Sequence, residues 1–151
     1  MNDCSQSLQP ISVTLAIIHQ DGKYLMQLRD NIPTIVHPGV WGLFGGHLEP
    51  GEKPEAGLKR ELIEEINYQP QQLKELGCYT EQNIKRYLFF CPLIVTIDEL
   101  ELNEGWDLGL LTPTEIKLGY AYSAKAGESR PIGGIHRQIL LNFMASDLAD
   151  D

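Results

Sequence analysis

Residues Gly46–Tyr68 have the sequence GHLEPGEKPEAGLKRELIEEINY, which is the most informative stretch of this chain for predicting its fold. Pro54 suits the first turn of a helix, and Glu55–Ile66 has the apolar spacing of an amphipathic helix. Its apolar side chains recur every four residues and predict one buried stripe: Leu58, Leu62 and Ile66. The helix is therefore expected to pack against the core, and the rest of the chain can be placed around it.

Three glutamates occupy a second face of the same helix. Glu61, Glu64 and Glu65 are spaced i, i+3 and i+4, which brings their carboxylates together. Like charges at this spacing destabilise a helix by roughly 0.2–0.5 kcal/mol per pair, and no lysine lies one turn beyond them to offset the repulsion. Two interpretations follow. The glutamates form a solvated acidic face, which is their usual fate on helices, or they are oxygen ligands for a hard cation such as Mg²⁺ or Mn²⁺.

The segment before the helix favours the second interpretation. Trp41–Glu52 contains four glycines, and glycine permits tight turns and close approach of the backbone to a ligand. A loop of this kind would hold Glu52 and main-chain carbonyls near the same cations. A plain surface loop would leave the mutually repelling carboxylates on the helix unexplained.

The whole stretch resembles the Nudix box, G-x5-E-x7-R-E-U-x-E-E-x-G-U, in which U is a bulky apolar residue. Seven of the nine defined positions match, namely Gly46, Glu52, Arg60, Glu61, Leu62, Glu64 and Glu65. Asn67 replaces a glycine, and asparagine is the non-glycine residue that best tolerates the left-handed conformation of a helix C-cap. Tyr68 replaces an aliphatic residue and remains large and mostly apolar.

The resemblance implies a Nudix-type pyrophosphohydrolase of the α/β (α+β) class, with a mixed β-sheet between helices in an α/β/α sandwich. It implies metal ligands at five positions: the Gly45 carbonyl, Glu52, Glu61, Glu64 and Glu65. Arg60 would hold these carboxylates in position through its guanidinium fork. Two or three Mg²⁺ ions would neutralise a diphosphate and activate the water that attacks phosphorus, so Glu64, Glu65 and Arg60 would carry the chemistry.

The general base is a box glutamate in some Nudix enzymes and lies on a later loop in others. Glu104, in Asn103-Glu104-Gly105-Trp106, precedes the strand-like Asp107–Leu111 and resembles the later-loop position. Glu104 can equally be a glutamate at a hairpin tip, so both interpretations stay open at this point.

Basic and aromatic side chains outside the box are candidates for substrate binding. Arg29 and Arg86, and after them Lys85, would contact phosphates, although solvated surface charge is the commoner fate of such cations. Trp106 would stack on a nucleobase, whereas Trp41 is expected in the core.

The substrate is predicted to be a nucleotide sugar or a nucleoside triphosphate, which differ in the group attached to the diphosphate. The run Leu28-Arg29-Asp30, Pro38-Gly39 and Trp41-Gly42 resembles Nudix members that act on nucleotide sugars. Two rivals are a non-catalytic nucleotide sensor and a structural domain that binds Ca²⁺. Sensors commonly lose box glutamates, and their retention here favours an enzyme.

The length and the net charge of the chain disfavour some classes of binding partner. A length of 151 residues suits one domain, predicted as residues 11–151 after a flexible segment 1–10. The net charge of −9 disfavours nucleic-acid polymers and membranes as partners, and it makes a bridging cation an electrostatic requirement for a phosphate substrate. Homodimers are common among Nudix proteins, so a second copy is a candidate partner.

Cellular location is predicted from what the sequence lacks. No apolar run approaches the roughly 20 residues needed to span a bilayer, and the N-terminus does not resemble a signal peptide. Cys4, Cys78 and Cys91 form no CxxC pair, so neither a disulfide framework nor a zinc site is expected. A reduced cytoplasm fits best.

Around the box helix the residue patterns predict a series of short elements. Strands are predicted at Ser12–His19, Lys23–Arg29, Gln69–Tyr79, Lys85–Ile97 and Asp107–Leu111. A brief helix should open at Thr112 and an amphipathic one should span Ile135–Leu148. Gly45-Gly46 is placed in a loop, and the glycine-rich Gly119–Gly134 is predicted to be irregular.

Overall fold

The structure, a computed structural model, describes residues 10–35 and 38–146. Its strands are β1 (Ile11–Gln20), β2 (Lys23–Leu28), β3 (Trp41–Gly42), β4 (Phe44–His47), β5 (Lys74–Glu81), β6 (Ile84–Pro92), β7 (Asp107–Leu111), β8 (Tyr120–Ser123) and β9 (Glu128–Pro131). Its helices are α1 (Pro54–Ile66), α2 (Pro113–Leu118) and α3 (Gly134–Met144), with a short 3-10 helix at Ile97–Glu99. The predicted segment 1–10 lies outside the described residues except for Pro10, as does the predicted end of the last helix at Leu148.

Strand β1 lies at the centre of a mixed sheet that includes seven of the strands in the described part of the chain. It pairs in parallel with β6 and antiparallel with β2 and β4. Strand β2 also pairs with β3 and β7, and β5 pairs with β6 at the edge. The predicted mixed sheet is confirmed.

Helix α1 packs on one face of this sheet through its predicted stripe. Leu58, Leu62 and Ile66 are fully buried, in a cluster that includes Phe44 of β4 and Phe89 of β6. Burial of one such side chain stabilises the fold by roughly 1.5–3 kcal/mol. Because three of them lie on one side of α1, the helix is held at a fixed rotation about its axis.

The opposite face of the sheet carries a second apolar cluster, to which α3 contributes Ile139, Leu140 and Phe143. Trp41 belongs to this cluster, where it is 2% exposed and donates its indole N–H to the carbonyl of Ala121 at 3.1 Å. The prediction that Trp41 is a core residue is confirmed. The sheet therefore lies between helices on both faces.

The C-terminal end of α1 has the conformation that the sequence predicted. Asn67 adopts φ 52° and ψ 41°, which is left-handed, and donates its N–H to the Ile63 carbonyl at 3.0 Å. Tyr68 follows at 5% exposure, and its hydroxyl donates to the Pro92 carbonyl at 3.2 Å. The two departures from the box are therefore compatible with its geometry.

Four secondary-structure predictions were wrong in whole or in part, one of them because β5 begins at Lys74 rather than at Gln69. Gly119–Gly134 is not irregular, because it contains the hairpin of β8 and β9. Gly45 and Gly46 lie in β4 rather than in a loop, since they pair with β1. The strand predicted at Lys85–Ile97 ends at Pro92, whose lack of an N–H suits a strand end.

No helix in the described ranges is both long enough and apolar enough to cross a membrane.

Candidate active site

Arg60 lies at the centre of the acidic cluster. Its Nε and Nη2 donate to the two Glu52 carboxylate oxygens at 2.8 and 2.9 Å, which is a bidentate pair. Its Nη1 donates to Glu61 at 3.1 Å and to Glu64 at 3.4 Å, and Nη2 also reaches the His47 carbonyl at 3.3 Å. A single guanidinium thus holds three carboxylates together. That Arg60 positions these carboxylates for a metal stays a prediction.

The Arg60 pair changes the ionisation of Glu52. The hydrogen bond from Arg60 lowers the pKa of Glu52 to about 2, with further help from the N–H of Glu49. Glu52 is therefore ionised throughout the physiological range and is available as an oxygen donor.

Glu65 is buried, although the interpretation of a solvated acidic face would leave it exposed. Its side chain points under β4, where Oε1 accepts from the Gly45 N–H at 3.2 Å and Oε2 lies 3.5 Å from the Gln27 amide. The residue is 6% exposed. Burial, followed by the charge of Glu61, raises the pKa of Glu65 to about 8. A carboxylate so placed needs a cation to stay ionised at neutral pH.

Gly46 explains how Glu61 reaches the cluster. A Cβ at position 46 would lie 2.6 Å from the Glu61 carboxyl carbon, so only glycine lets this side chain lie against β4. Burial raises the pKa of Glu61, while Arg60 opposes the rise. Glu64 differs from both, because its side chain is 57% exposed. At this end of the helix, Glu65 is therefore buried, Glu61 is half-buried and Glu64 is exposed.

Glu104 lies near this cluster rather than at a remote hairpin tip. Its charge contributes to the raised pKa values of both Glu61 and Glu65, although Glu104 itself is exposed. The preceding residue, Asn103, donates its side-chain amide to the Glu64 carbonyl and its main-chain N–H to the Glu65 carbonyl, both at 2.9 Å. Asn103 and Gln27 also belong to this site, and neither was among the residues predicted from the sequence.

The donor set fits a hard divalent cation in its chemistry. Three carboxylates, those of Glu52, Glu61 and Glu64, pair with one guanidinium, and Glu65 adds a further acid on the same helix. Among the described residues, however, no three acidic, histidine or cysteine side chains form a ready ligand group. Arg60 lies between Glu52, Glu61 and Glu64 and supplies positive charge at this point.

We expect Glu65 to make stability depend on pH when divalent metal is withheld. An unfolded glutamate has a pKa of 4.5 and the folded one about 8, so in this window the unfolded chain releases a proton that the folded chain keeps. The free energy of unfolding therefore falls as pH rises from about 4.5 to 8. In EDTA, the Tm of the wild type should fall relative to that of Glu65→Gln by roughly 4 °C or more between pH 5 and 8. A Tm difference that did not change with pH would contradict this prediction.

The predicted substrate-binding residues lie in β6, directly after β2 and directly before β7. Arg86, in β6, is 9% exposed, and its Nη1 lies 3.5 Å from Glu81 without a hydrogen-bond partner among the described residues. Its neighbour across the sheet is Val13, which in turn pairs with His47 of β4. Trp106 packs partly against the core, and its N–H bonds the Leu28 carbonyl. Arg29 directly follows Leu28 and donates its main-chain N–H to the Val40 carbonyl at 2.9 Å.

Comparisons with known proteins agree with this geometry. The family model of the NUDIX domain matches residues 8–128. The structure resembles the MutT NUDIX hydrolase of Burkholderia pseudomallei, with a TM-score of 0.66 and 21% identity over 88% of this chain and 97% of that one. It also resembles a NUDIX hydrolase of Nitrosomonas europaea, with a TM-score of 0.68 and 18% identity over 92% of this chain and 72% of the other. These structural likenesses show a shared fold.

Curated relatives match over a shorter stretch. The nucleoside triphosphatase NudI of Salmonella newport is 42% identical over 59 residues, which is 38% of this chain and 40% of the relative. The same protein of Salmonella agona matches to the same extent. The chain thus aligns with about 40% of the length of these relatives.

Proposed function

Since the chain belongs to the NUDIX domain family, we propose that it hydrolyses a diphosphate linkage in a nucleotide and requires a divalent cation to do so. The observation that carries the proposal is the convergence of the α1 carboxylates on Gly45 and Gly46 of β4. The burial of Glu65 supports it most strongly. A stability role does not account for a carboxylate that is buried with a pKa of about 8.

Each side chain of the cluster has a distinct task in this reaction. Glu52, Glu61, Glu64 and Glu65 would hold the cation together with the Gly45 carbonyl, and Mg²⁺ or Mn²⁺ would supply charge neutralisation and a lowered pKa for water. Arg60 orients the carboxylates, as its four-way hydrogen bonding supports. Glu104 accepts the proton of the attacking water, because it is an exposed carboxylate next to Glu61 and Glu65.

A nucleotide substrate is supported by features on the α3 side of the sheet. A cavity of about 190 Å³ lies between α3 and the sheet, and its lining is mostly apolar with a few polar groups, including Tyr79 and Asn142. Such a lining suits a planar base. Arg86 pairs with Tyr79 of this cavity across β5 and β6, and it lies on the same strand as Leu88, which also lines the cavity. Its Nη1, which has no hydrogen-bond partner among the described residues, would donate to a phosphate oxygen, and Trp106 and Arg29 would also contact the substrate.

Nucleoside triphosphates are the first choice of substrate. The NudI relatives are nucleoside triphosphatases by name, whereas the resemblance to nucleotide-sugar hydrolases depends on a short run before the box. Nucleotide sugars remain the second candidate. The two differ in products, since a triphosphate would give a monophosphate and diphosphate, and a sugar nucleotide would give a monophosphate and a sugar phosphate.

One experiment tests this proposal against its rivals. The purified protein is incubated with a panel of nucleoside triphosphates and nucleotide sugars in Mg²⁺, Mn²⁺, Ca²⁺ or EDTA, and products are resolved by chromatography. We expect cleavage with Mg²⁺ or Mn²⁺ and none with EDTA. Binding without cleavage under every condition would establish a non-catalytic nucleotide module instead. A Tm raised by Ca²⁺, without nucleotide binding, would indicate a structural cation site.

Two further expectations stay predictions. The cytoplasmic location is based on the cysteines, and within the described residues Cys78 and Cys91 form no disulfide. A homodimer is an expectation from the family alone.

A further inference from the structure

The segment from Glu101 to Trp106 is fixed at both ends, and Glu104 lies between the two attachments. At one end, the N–H groups of Glu101 and Asn103 donate to the last carbonyls of α1, those of Ile66 and Glu65, at 3.2 and 2.9 Å. At the other end, the Trp106 N–H donates to the Leu28 carbonyl of β2 at 2.8 Å. The chain between them is short, so the two attachments restrict where Glu104 can be.

Gly105 makes this short connection feasible. Its φ of +104° is a conformation that L side chains rarely adopt, and a Cβ there would lie 3.2 Å from the Leu28 carbonyl oxygen. The backbone at Gly105 therefore lies close to the Leu28 carbonyl of β2. Movement of the Glu104 carboxylate has to come mainly from the α1 side of the segment.

Asn103 is the residue that closes the α1 side. Its side-chain amide donates to the Glu64 carbonyl and its main-chain N–H to the Glu65 carbonyl, both at 2.9 Å. The last carbonyls of a helix have no partner within the helix, and they attract hydrogen-bond donors. Asn103 therefore donates hydrogen bonds to the main-chain carbonyls of Glu64 and Glu65, whose side chains are acids of the site.

We propose that Asn103 is a positioning residue that holds Glu104 at a fixed place relative to Glu64 and Glu65. This inference depends on the proposed hydrolysis, because it concerns the geometry of the proton acceptor in that reaction. It adds a residue outside the box to the machinery, and one that acts through Glu104 rather than on the substrate. Since displacement by about 1 Å can reduce a rate by about 100-fold, loss of this anchor affects turnover more than binding.

The test is a double-mutant cycle between Asn103→Ala and Glu104→Gln, with kcat and KM measured at saturating Mg²⁺. In the wild-type background, Asn103→Ala should lower kcat by about 10- to 100-fold and leave KM within roughly twofold. In the Glu104→Gln background, the same substitution should have almost no further effect, because the group that it positions has already been removed. Asn103→Ser retains a short donor and should recover part of the lost kcat.

Thr96→Ala is the matched control. Thr96 caps the 3-10 helix in the same connection by donating to the Glu99 carboxylate, and no hydrogen bond joins it to α1 in the described part of the chain. This variant should keep the wild-type kcat. Equal kcat losses for Asn103→Ala in both Glu104 backgrounds would overturn the positioning role, as would an unchanged kcat. If Asn103→Ala does not fold, Asn103→Ser in both backgrounds decides the question by the same comparison. A wild type without hydrolytic activity would instead overturn the proposed function, and the inference with it.

Discussion

Replacement of Glu65 by glutamine will reduce the kcat of diphosphate hydrolysis by about 10³-fold or more at saturating Mg²⁺ while the protein stays folded. Glutamine has nearly the same shape, and its carbonyl oxygen can still accept the Gly45 N–H, so the fold is preserved. It has no negative charge, however, and cannot serve as an anionic ligand. Because the metal-free protein keeps Glu65 protonated up to about pH 8, cation binding must also release that proton.

The controls separate this effect from a general loss of charge on the helix. Glu55 lies in the first turn of the same helix, is exposed and pairs with Lys59 at 3.1 Å, so Glu55→Gln should keep turnover within roughly twofold. Glu64→Gln should resemble Glu65→Gln in kcat but not in stability, since Glu64 is exposed. Normal turnover of Glu65→Gln and Glu64→Gln at saturating Mg²⁺ would show that these glutamates are not the metal ligands.

Replacement of Gly45 by alanine will lower the free energy of unfolding by about 3 kcal/mol or more. Gly45 has φ +149° within β4, and a Cβ would overlap the Thr14 carbonyl oxygen and lie 2.9 Å from the Leu15 Cα of β1. Both contacts are with backbone, which cannot rotate away as a side chain would. The strands must separate at this point, and the Gly45 N–H would then lose its bond to Glu65. Urea denaturation followed by circular dichroism measures the change.

Gly51→Ala provides the matched comparison. Gly51 also has a positive φ, +77°, but a Cβ there would meet no atom within 4 Å. Only the conformational cost remains, which is roughly 1–2 kcal/mol. If Gly45→Ala were no more destabilising than Gly51→Ala, the close packing of β4 on β1 would not be the reason for glycine at position 45.

The parts of the fold that were predictable are those in which local pattern and tertiary packing agree. The stripe of Leu58, Leu62 and Ile66 required burial on one side, and the structure buries all three. Asn67 was expected to be left-handed because few residues tolerate that conformation, and its φ is 52°. In each case the residues themselves carry the physical constraint.

The β8–β9 hairpin shows where the sequence pattern failed. Glycines and small residues in Gly119–Gly134 suggested a loop, yet Ala121 and Ser123 are buried while Tyr120 and Tyr122 are exposed, which is the alternation of a strand. Two of these four residues are small and one is polar, so hydrophobicity alone did not reveal the period. Gly127, with φ +71°, forms the turn rather than ending the structure.

The residues of the candidate site could be predicted from the sequence, but the burial of each side chain could not. Spacing placed Glu61, Glu64 and Glu65 together on one face, but the burial of Glu65 depends on β4 lying over it, and no local pattern contains that information. Gln27 and Asn103 were missed for the same reason, because they reach α1 from distant segments. A polar residue within the apolar run of β2 was the one available signal for Gln27.

The parallel pairing of β1 with β6 joins strands that are far apart in the chain. Strand β1 pairs from Ile11 to His19 with β6, which ends at Pro92, so a large loop has to close before these two strands can pair. A nascent chain released to Tyr68 would already contain every glutamate of the box. It would lack Phe89 and Cys91, against which α1 packs, and the strand that completes the centre of the sheet. The box is therefore a recognisable motif in sequence, but its helix depends for its packing on strands that follow it in the chain.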